Sequence, residues 1–231
     1  NKTRSEMLRE CILSLRENTE YPVEIIVVDN GGVDHDDTDW LVEQVRNGTI
    51  NTLIRNKDNL FFCGAWNLGS RIASGDYLCF TCNDIVFKKG WLSKTIEGLE
   101  RYSERKLIAS PFCSPDKDKP NWWKELLSDG YRINSMAGSN CCVLSREAFK
   151  DLGDWPHHRI GGSIWYRRMV RKGYQVIVPP EAMVEHQAFR NGVNWRRPID
   201  VKKTLLNGDE VHFNYKTKPS IYFGNQAPIG V

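Results

Sequence analysis

Twice in its first half the chain runs through a short apolar stretch that stops at once on acidic and amide residues. Residues 23–28 end at Asp29-Asn30-Gly31-Gly32, and Tyr77–Thr81 is followed closely by Asn83-Asp84. Each run is too short for a helix, rich in β-branched or aromatic residues, and bounded by turn formers, which predicts a buried strand. Helical periodicity separates them. In residues 4–18, Met7, Leu8, Cys11, Ile12 and Leu15 fall on one helix face. A short helix is expected over 39–46, a strand over 52–54, and a helix opened by the Gly- and Asn-rich stretch from residue 59 to about 73. Further on, the pattern predicts a helix over 90–102, a strand over 107–110, a strand near 137–144, a helix over 163–172 and a strand over 174–178. Helix and strand alternating at this pitch specify an α/β fold, a mostly parallel sheet with helices on both faces. Such folds normally open on a strand, so one is expected before Asn1. The polar stretch 113–130, with Trp122-Trp123, predicts a loop over a site, and the Pro-, Asn- and Lys-rich residues 191–231 a C-terminal extension.

Composition removes several classes of partner. Thirty-two basic against 29 acidic residues leave a net charge of +3, too balanced for a dedicated nucleic-acid binder. No apolar run approaches the roughly 18 residues of a membrane span, and the first residues do not have the pattern of a signal peptide. The seven cysteines are odd in number and lack a framework spacing. Reduced thiols and a cytoplasmic setting are therefore expected, with peripheral association at the inner face of a membrane left open. Cys79 and Cys82 form a C-x-x-C in a strand, without a second Cys/His pair at zinc spacing, so they are read as packing residues.

Open sheets of this kind bind ligands at the carboxyl ends of their strands. Asp29 and Asp84 both stand there, where a carboxylate can accept from a base or ribose, or hold a hard cation. The alternative is that each is an ordinary turn aspartate.

Four segments, in order, carry a resemblance. Glu24-Ile25-Ile26-Val27-Val28-Asp29-Asn30-Gly31-Gly32 is similar to a strand-and-turn segment of glycosyltransferase family 2, a group of mostly inverting transferases with a GT-A fold. Asn59-Leu60-Phe61-Phe62-Cys63-Gly64-Ala65-Trp66-Asn67-Leu68-Gly69 resembles that family's N-x-G-f-a-x-A-x-N-x-G. The segment from Gly75 through Asn83-Asp84 to Gly90-Trp91-Leu92 resembles its metal-binding region, with Asp84 in the place of the DxD-like aspartate. Gly138 to Phe149 resembles an acceptor-side segment. Together they cover about residues 1–186. The resemblance implies a GT-A domain over 1–190, with a nucleotide-binding half of about 1–110 and an acceptor half of about 111–190. It implies a nucleoside diphosphate sugar donor, Mn2+ or Mg2+, and a glycan, lipid-linked or protein acceptor. Asp29 would contact the base, Asn59 would lie near the nucleotide, and Asn30, Asn67 and Asn83 would join the donor-binding set. Asp84 would hold the metal, with His186 as a second ligand; a lone histidine beside a strand is otherwise structural.

One motif fails. The family's acidic E-D-x-D-l-x-x-R, source of the general base, is matched by Gly161-Gly162-Ser163-Ile164-Trp165-Tyr166-Arg167-Arg168, and no Asp or Glu occurs between Asp154 and Glu181. Three explanations stand. His157 or His158 is the base, since imidazole can accept a proton at neutral pH; Asp154 reaches in; or the protein binds a sugar nucleotide and transfers poorly or not at all. Arg159, Arg167, Arg168, Arg171 and Lys172 are candidates for an anionic ligand or a solvated helix face. Trp122, Trp123 and Trp155 are candidates for stacking on sugars, with Trp165 expected in the core. A nucleotidyltransferase and a carbohydrate-binding domain of transferase descent are the other functions consistent with the pattern.

Overall fold

The structure, a computed structural model, describes residues 4–30, 35–114, 123–134, 141–156 and 161–187, and the backbone of 204–206 and 209–211. Helix α1 (Arg4–Glu17) buries Met7, Cys11 and Ile12 and packs on strand β4 (Ile85–Phe87). Its polar residues serve the same contact: Ser14 Oγ accepts from the Phe87 amide at 3.1 Å, and Asn18 Nδ2 donates to the Phe87 carbonyl at 3.1 Å. Strand β1 (Ile26–Asp29) pairs in parallel with β2 (Thr52–Arg55) across the crossover helix α2 (His35–Arg46). Helix α3 (Phe61–Ile72) packs on β1, with Gly69 facing Val28 and Ile26.

Strand β3 (Tyr77–Thr81) buries Leu78 and Phe80 and exposes Tyr77 and Cys79, the period-two pattern of a strand with unlike faces. It ends a six-stranded sheet of order β3-β9-β5-β10-β8-β7. The partners are β9 (Cys141–Ser145), β5 (Leu107–Ala109), β10 (Gln175–Val178), β8 (Arg132–Asn134) and β7 (Trp123–Leu126). Strand β11 (Ala182–His186) sits between β4 and β6 (Phe112–Ser114) in a third sheet. Helices α4 (Trp91–Arg101), α5 (Arg146–Leu152) and α6 (Gly161–Arg171) complete the main body, and a two-stranded ladder, β12 (Thr204–Leu206) with β13 (Asp209–Val211), lies in the C-terminal segment.

The α/β class is as expected, but the pairing is mixed rather than mostly parallel. Among the described residues only β1–β2, β5–β10 and β6–β11 are parallel. Strand β9 returns antiparallel between β3 and β5, and β7–β8 is an antiparallel hairpin turning at Gly130 (φ 87°). That hairpin replaces part of the loop expected over 113–130. Among the described residues β1 and β3 each pair along one edge alone.

Candidate functional site

The carboxyl ends of β1 and β3 are both tied to helix α3, the first at its start and the second near its middle. Asn30 Nδ2 donates to the Phe61 carbonyl at 3.0 Å, and Trp66 Nε1, one turn further along α3, donates to the Thr81 carbonyl at 3.3 Å. Asp29 is last in β1, next to Asn30 at the start of α3, and Asp84 stands three residues beyond the Thr81 carbonyl that Trp66 meets. The start of α1 is tied in as well: Gln187 Nε2 donates to the Met7 carbonyl while the Gln187 amide donates to the Asp84 carbonyl.

Asp84 is 3% exposed. Its Oδ2 lies 3.4 Å from Nε2 of His186, the last residue of β11, and His186 is equally buried. Strand pairing sets this contact, since His186 is opposite Ile85 in the β4–β11 ladder. Burial raises the Asp84 pKa, and only in part do His186 and the residue's own backbone amide lower it again. The other oxygen, Oδ1, is buried with no hydrogen-bond partner among the described residues. A buried, desolvated carboxylate beside an imidazole is a costly arrangement without a cation. A carboxylate oxygen and an imidazole nitrogen are donors that Mn2+ accepts. The pair fits a divalent cation, although no group of three or more metal-ligating side chains forms among the described residues.

Asp29 is held differently. Its carboxylate is 3.4 Å from Arg55 Nε, and Arg55 also reaches Thr38 Oγ1. Asn30 is fully engaged as a brace: Oδ1 accepts from Asn56 Nδ2 and the Leu60 amide, and Nδ2 donates to Asn59 Oδ1 and the Phe61 carbonyl. Asn59 in turn accepts from the Phe61 amide at 2.8 Å. This clamp holds Phe61 at φ 56°, the one left-handed non-glycine backbone among the described residues. Phe61 falls on the glycine of N-x-G-f-a, a mismatch readable in the sequence whose conformational consequence is not.

Asn67 stands apart from these groups. It is 1% exposed, donating to the Trp155 carbonyl and accepting from the Trp155 amide, both at 2.8 Å. Trp155 itself is buried and stacks on Trp165 with centroids 4.0 Å apart, so both belong to the core. Asn83 is half-buried in the turn before Asp84. Asp154 faces Arg71 at 3.3 Å, beside the last turn of α3, more than two helical turns from Phe61. Arg168 and Lys172 donate to the Leu152, Asp154 and Asp151 carbonyls, tying α6 to the C-terminus of α5. His157, His158, Arg159 and Trp122 lie outside the described residues, as does the Trp123 side chain. At the start of α6, Gly161 is pressed against α3: a Cβ there would stand 2.2 Å from the Pro156 carbonyl oxygen and 2.5 Å from Cys63 Sγ. Cys11, Cys63, Cys79, Cys82, Cys141 and Cys142 are free thiols, with Cys79 and Cys141 sulfurs 3.8 Å apart.

The family model for glycosyl transferase family 2 matches residues 1–174. The chain belongs to glycosyl transferase family 2. Solved structures resemble this family member at low identity. One is GalNAc-T7 with UDP, GalNAc and Mn2+ (TM-score 0.64, 14% identity, 78% of this chain and 41% of that one). A second is a mannosyltransferase of Pyrobaculum calidifontis with GDP-Man and Mn2+ (0.64, 16%, 81% and 55%). A third is residues 1–349 of S. aureus TarS (0.61, 17%, 81% and 58%). The family 2 chain thus has the GT-A fold and spans about half the length of these structures. No curated protein matches it, and no helix among the described residues is long and apolar enough to cross a membrane.

Proposed function

We propose that this chain is the donor-binding and catalytic part of a glycosyltransferase. It takes a sugar from a nucleoside diphosphate sugar and passes it, with inversion, to a hydroxyl of a glycan, lipid-linked or protein acceptor. The buried Asp84–His186 pair carries the proposal. UDP and GDP-Man accompany Mn2+ in the similar structures, and the donor set here suits the same ion, with Mg2+ as the alternative. When bound at Asp84 and His186, that cation supplies positive charge to the leaving diphosphate. Asp29 accepts from the base, Asn30 and Asn59 shape the turn beside it, and Asn83 positions Asp84.

In the transfer, the acceptor oxygen bonds to the anomeric carbon as the bond from that carbon to the diphosphate oxygen breaks and its electron pair stays with the nucleoside diphosphate. The acceptor proton must pass to a base. His157 or His158, in the segment before α6, is the proposed acceptor of that proton. Asp154 is the weaker candidate, because its carboxylate already faces Arg71 at the far end of α3. A cytoplasmic setting, peripheral to a membrane, is proposed with it.

A second reading, a sugar-nucleotide- or carbohydrate-binding domain without transfer, is favoured by Gly161. This residue stands where the family's motif begins with an acid, and there is no room for a side chain there. Donor hydrolysis separates the two. With UDP- and GDP-sugars and Mn2+, the protein should release nucleoside diphosphate, and either His157→Ala or His158→Ala should slow release by about 10²–10⁴-fold. Unchanged rates in both variants would remove the histidines. No release from any donor, with binding retained, would establish the second reading.

A further inference from the structure

Phe61 occupies a conformation that its residue type disfavours. At φ 56° a Cβ crowds the backbone, and a glycine would adopt the same angle without that cost. The strain is imposed from two sides: Asn59 Oδ1 takes the Phe61 amide, Asn30 Nδ2 takes its carbonyl, and Asn30 Oδ1 takes the amide of Leu60 just before it. Backbone strain that survives only because its surroundings over-determine it collects at functional sites, and the inference runs from the outlier to a role. The neighbouring Phe62 already anchors this turn by packing on the core around Trp155 and Trp165. Phe61 is only half-buried, and Leu60 before it is 38% exposed, so the turn presents apolar surface. Its backbone is hydrogen-bonded to Asn30, the residue that follows Asp29, which sets the Phe61 backbone beside the strand end where Asp29 stands.

We infer that Phe61 is a donor-contacting residue that packs its ring against the nucleoside of a nucleoside diphosphate. The inference rests on the donor reading above. A strained aromatic here suits a base because each base has an apolar π-face and an edge that hydrogen-bonds. Stacking on the ring and acceptance by Asp29 serve the two separately. The clamp fixes the backbone that carries the ring before the ligand arrives, so that little backbone freedom is lost on binding.

The test is calorimetric titration of UDP, GDP and inorganic pyrophosphate, each with Mn2+, into the wild-type chain, Phe61→Gly and Phe61→Leu, with melting temperatures measured alongside. Glycine removes the strain and the ring; leucine keeps the strain and removes the ring. The nucleoside diphosphate that the wild type prefers should bind about tenfold more weakly to both variants. Pyrophosphate should bind all three proteins equally, and Phe61→Gly should melt no lower than wild type. Wild-type affinity for the nucleotide in both variants would overturn the inference. So would equal weakening of nucleotide and pyrophosphate, which would mean that Phe61 shapes the turn rather than touching the base. A wild type that binds pyrophosphate and no nucleotide would remove the donor reading, and this role with it.

Discussion

Oδ2 of Asp84 and Nε2 of His186 lie 3.4 Å apart, across a ladder between two strands almost a hundred residues apart in the chain, and both side chains are nearly closed off from water. Placing a carboxylate there costs the fold stability, as the proposed cation-binding role would require.

The cost has a sign in pH. Burial raises the Asp84 pKa in the folded protein. At acid pH the carboxyl is neutral whether folded or unfolded, and nothing is lost. As pH rises through the ordinary aspartate value of about 3.9, the unfolded chain releases its proton first, and folded stability declines until the folded group ionises too. Asp84→Asn should therefore melt a few degrees above wild type in the metal-free protein at pH 7, with a smaller difference near pH 4. Adding Mn2+ should raise the wild-type melting temperature and leave the variant unmoved. Differential scanning calorimetry across that range checks both; a variant that melts lower than wild type at pH 7 would contradict the assignment.

Asn67 is expected to matter for stability before it matters for binding. Truncation to alanine leaves the buried amide and carbonyl of Trp155 without their partner. At about 1–3 kcal/mol for a buried polar group left unsatisfied, Asn67→Ala should lose about 2–4 kcal/mol by urea denaturation. A loss below about 1 kcal/mol would mean that water or another group takes over.

Gly161 should not tolerate the acidic side chain that the family resemblance leads one to expect there. An alanine in a helix ordinarily gains about 0.5–1 kcal/mol over glycine. Here its Cβ meets the Pro156 carbonyl oxygen and Cys63 Sγ well inside contact distance, so Gly161→Ala should instead cost about 1–3 kcal/mol. Gly161→Glu should be worse, and should fail to raise transfer. A gain in activity from Gly161→Glu would show that α6 can withdraw from α3.

The Asp29–Arg55 pair is partly solvent-exposed, with Arg55 about half open to water. Its loss should cost stability no more than about 1 kcal/mol. Asp29→Ala should leave the melting temperature within a degree or two and still weaken nucleotide binding at least tenfold. Thermal melting and titration of the same sample separate the two effects.

Much of the fold could be read from pattern. Strand β3 falls on Tyr77–Thr81 as expected, and α1 ends one residue short of its expected end, because a one-sided apolar face and a bounded β-branched run are local signals. What escaped was short or nonlocal. Strands β4 and β6 have three residues each, too few for a period to show. Helix α5 is announced only by Ser145, whose side chain caps it by accepting from the Ala148 amide. The antiparallel return of β9 depends on pairing partners distant in sequence. The positions of Asp29 at the end of β1 and of Asp84 just beyond β3 were legible because strand ends declare themselves. The partnership of Asp84 with His186 came only through family likeness, and the left-handed Phe61 not at all, since no propensity favours phenylalanine there.

The most direct measurement is isothermal titration of UDP and GDP into the wild-type chain and into Asp84→Asn and His186→Ala, with and without Mn2+. One of the two nucleotides should bind the wild type only when Mn2+ is present, and each substitution should abolish that Mn2+-dependent binding while the variant stays folded. Binding that ignores Mn2+, or that survives intact in Asp84→Asn, would contradict a cation site at this pair.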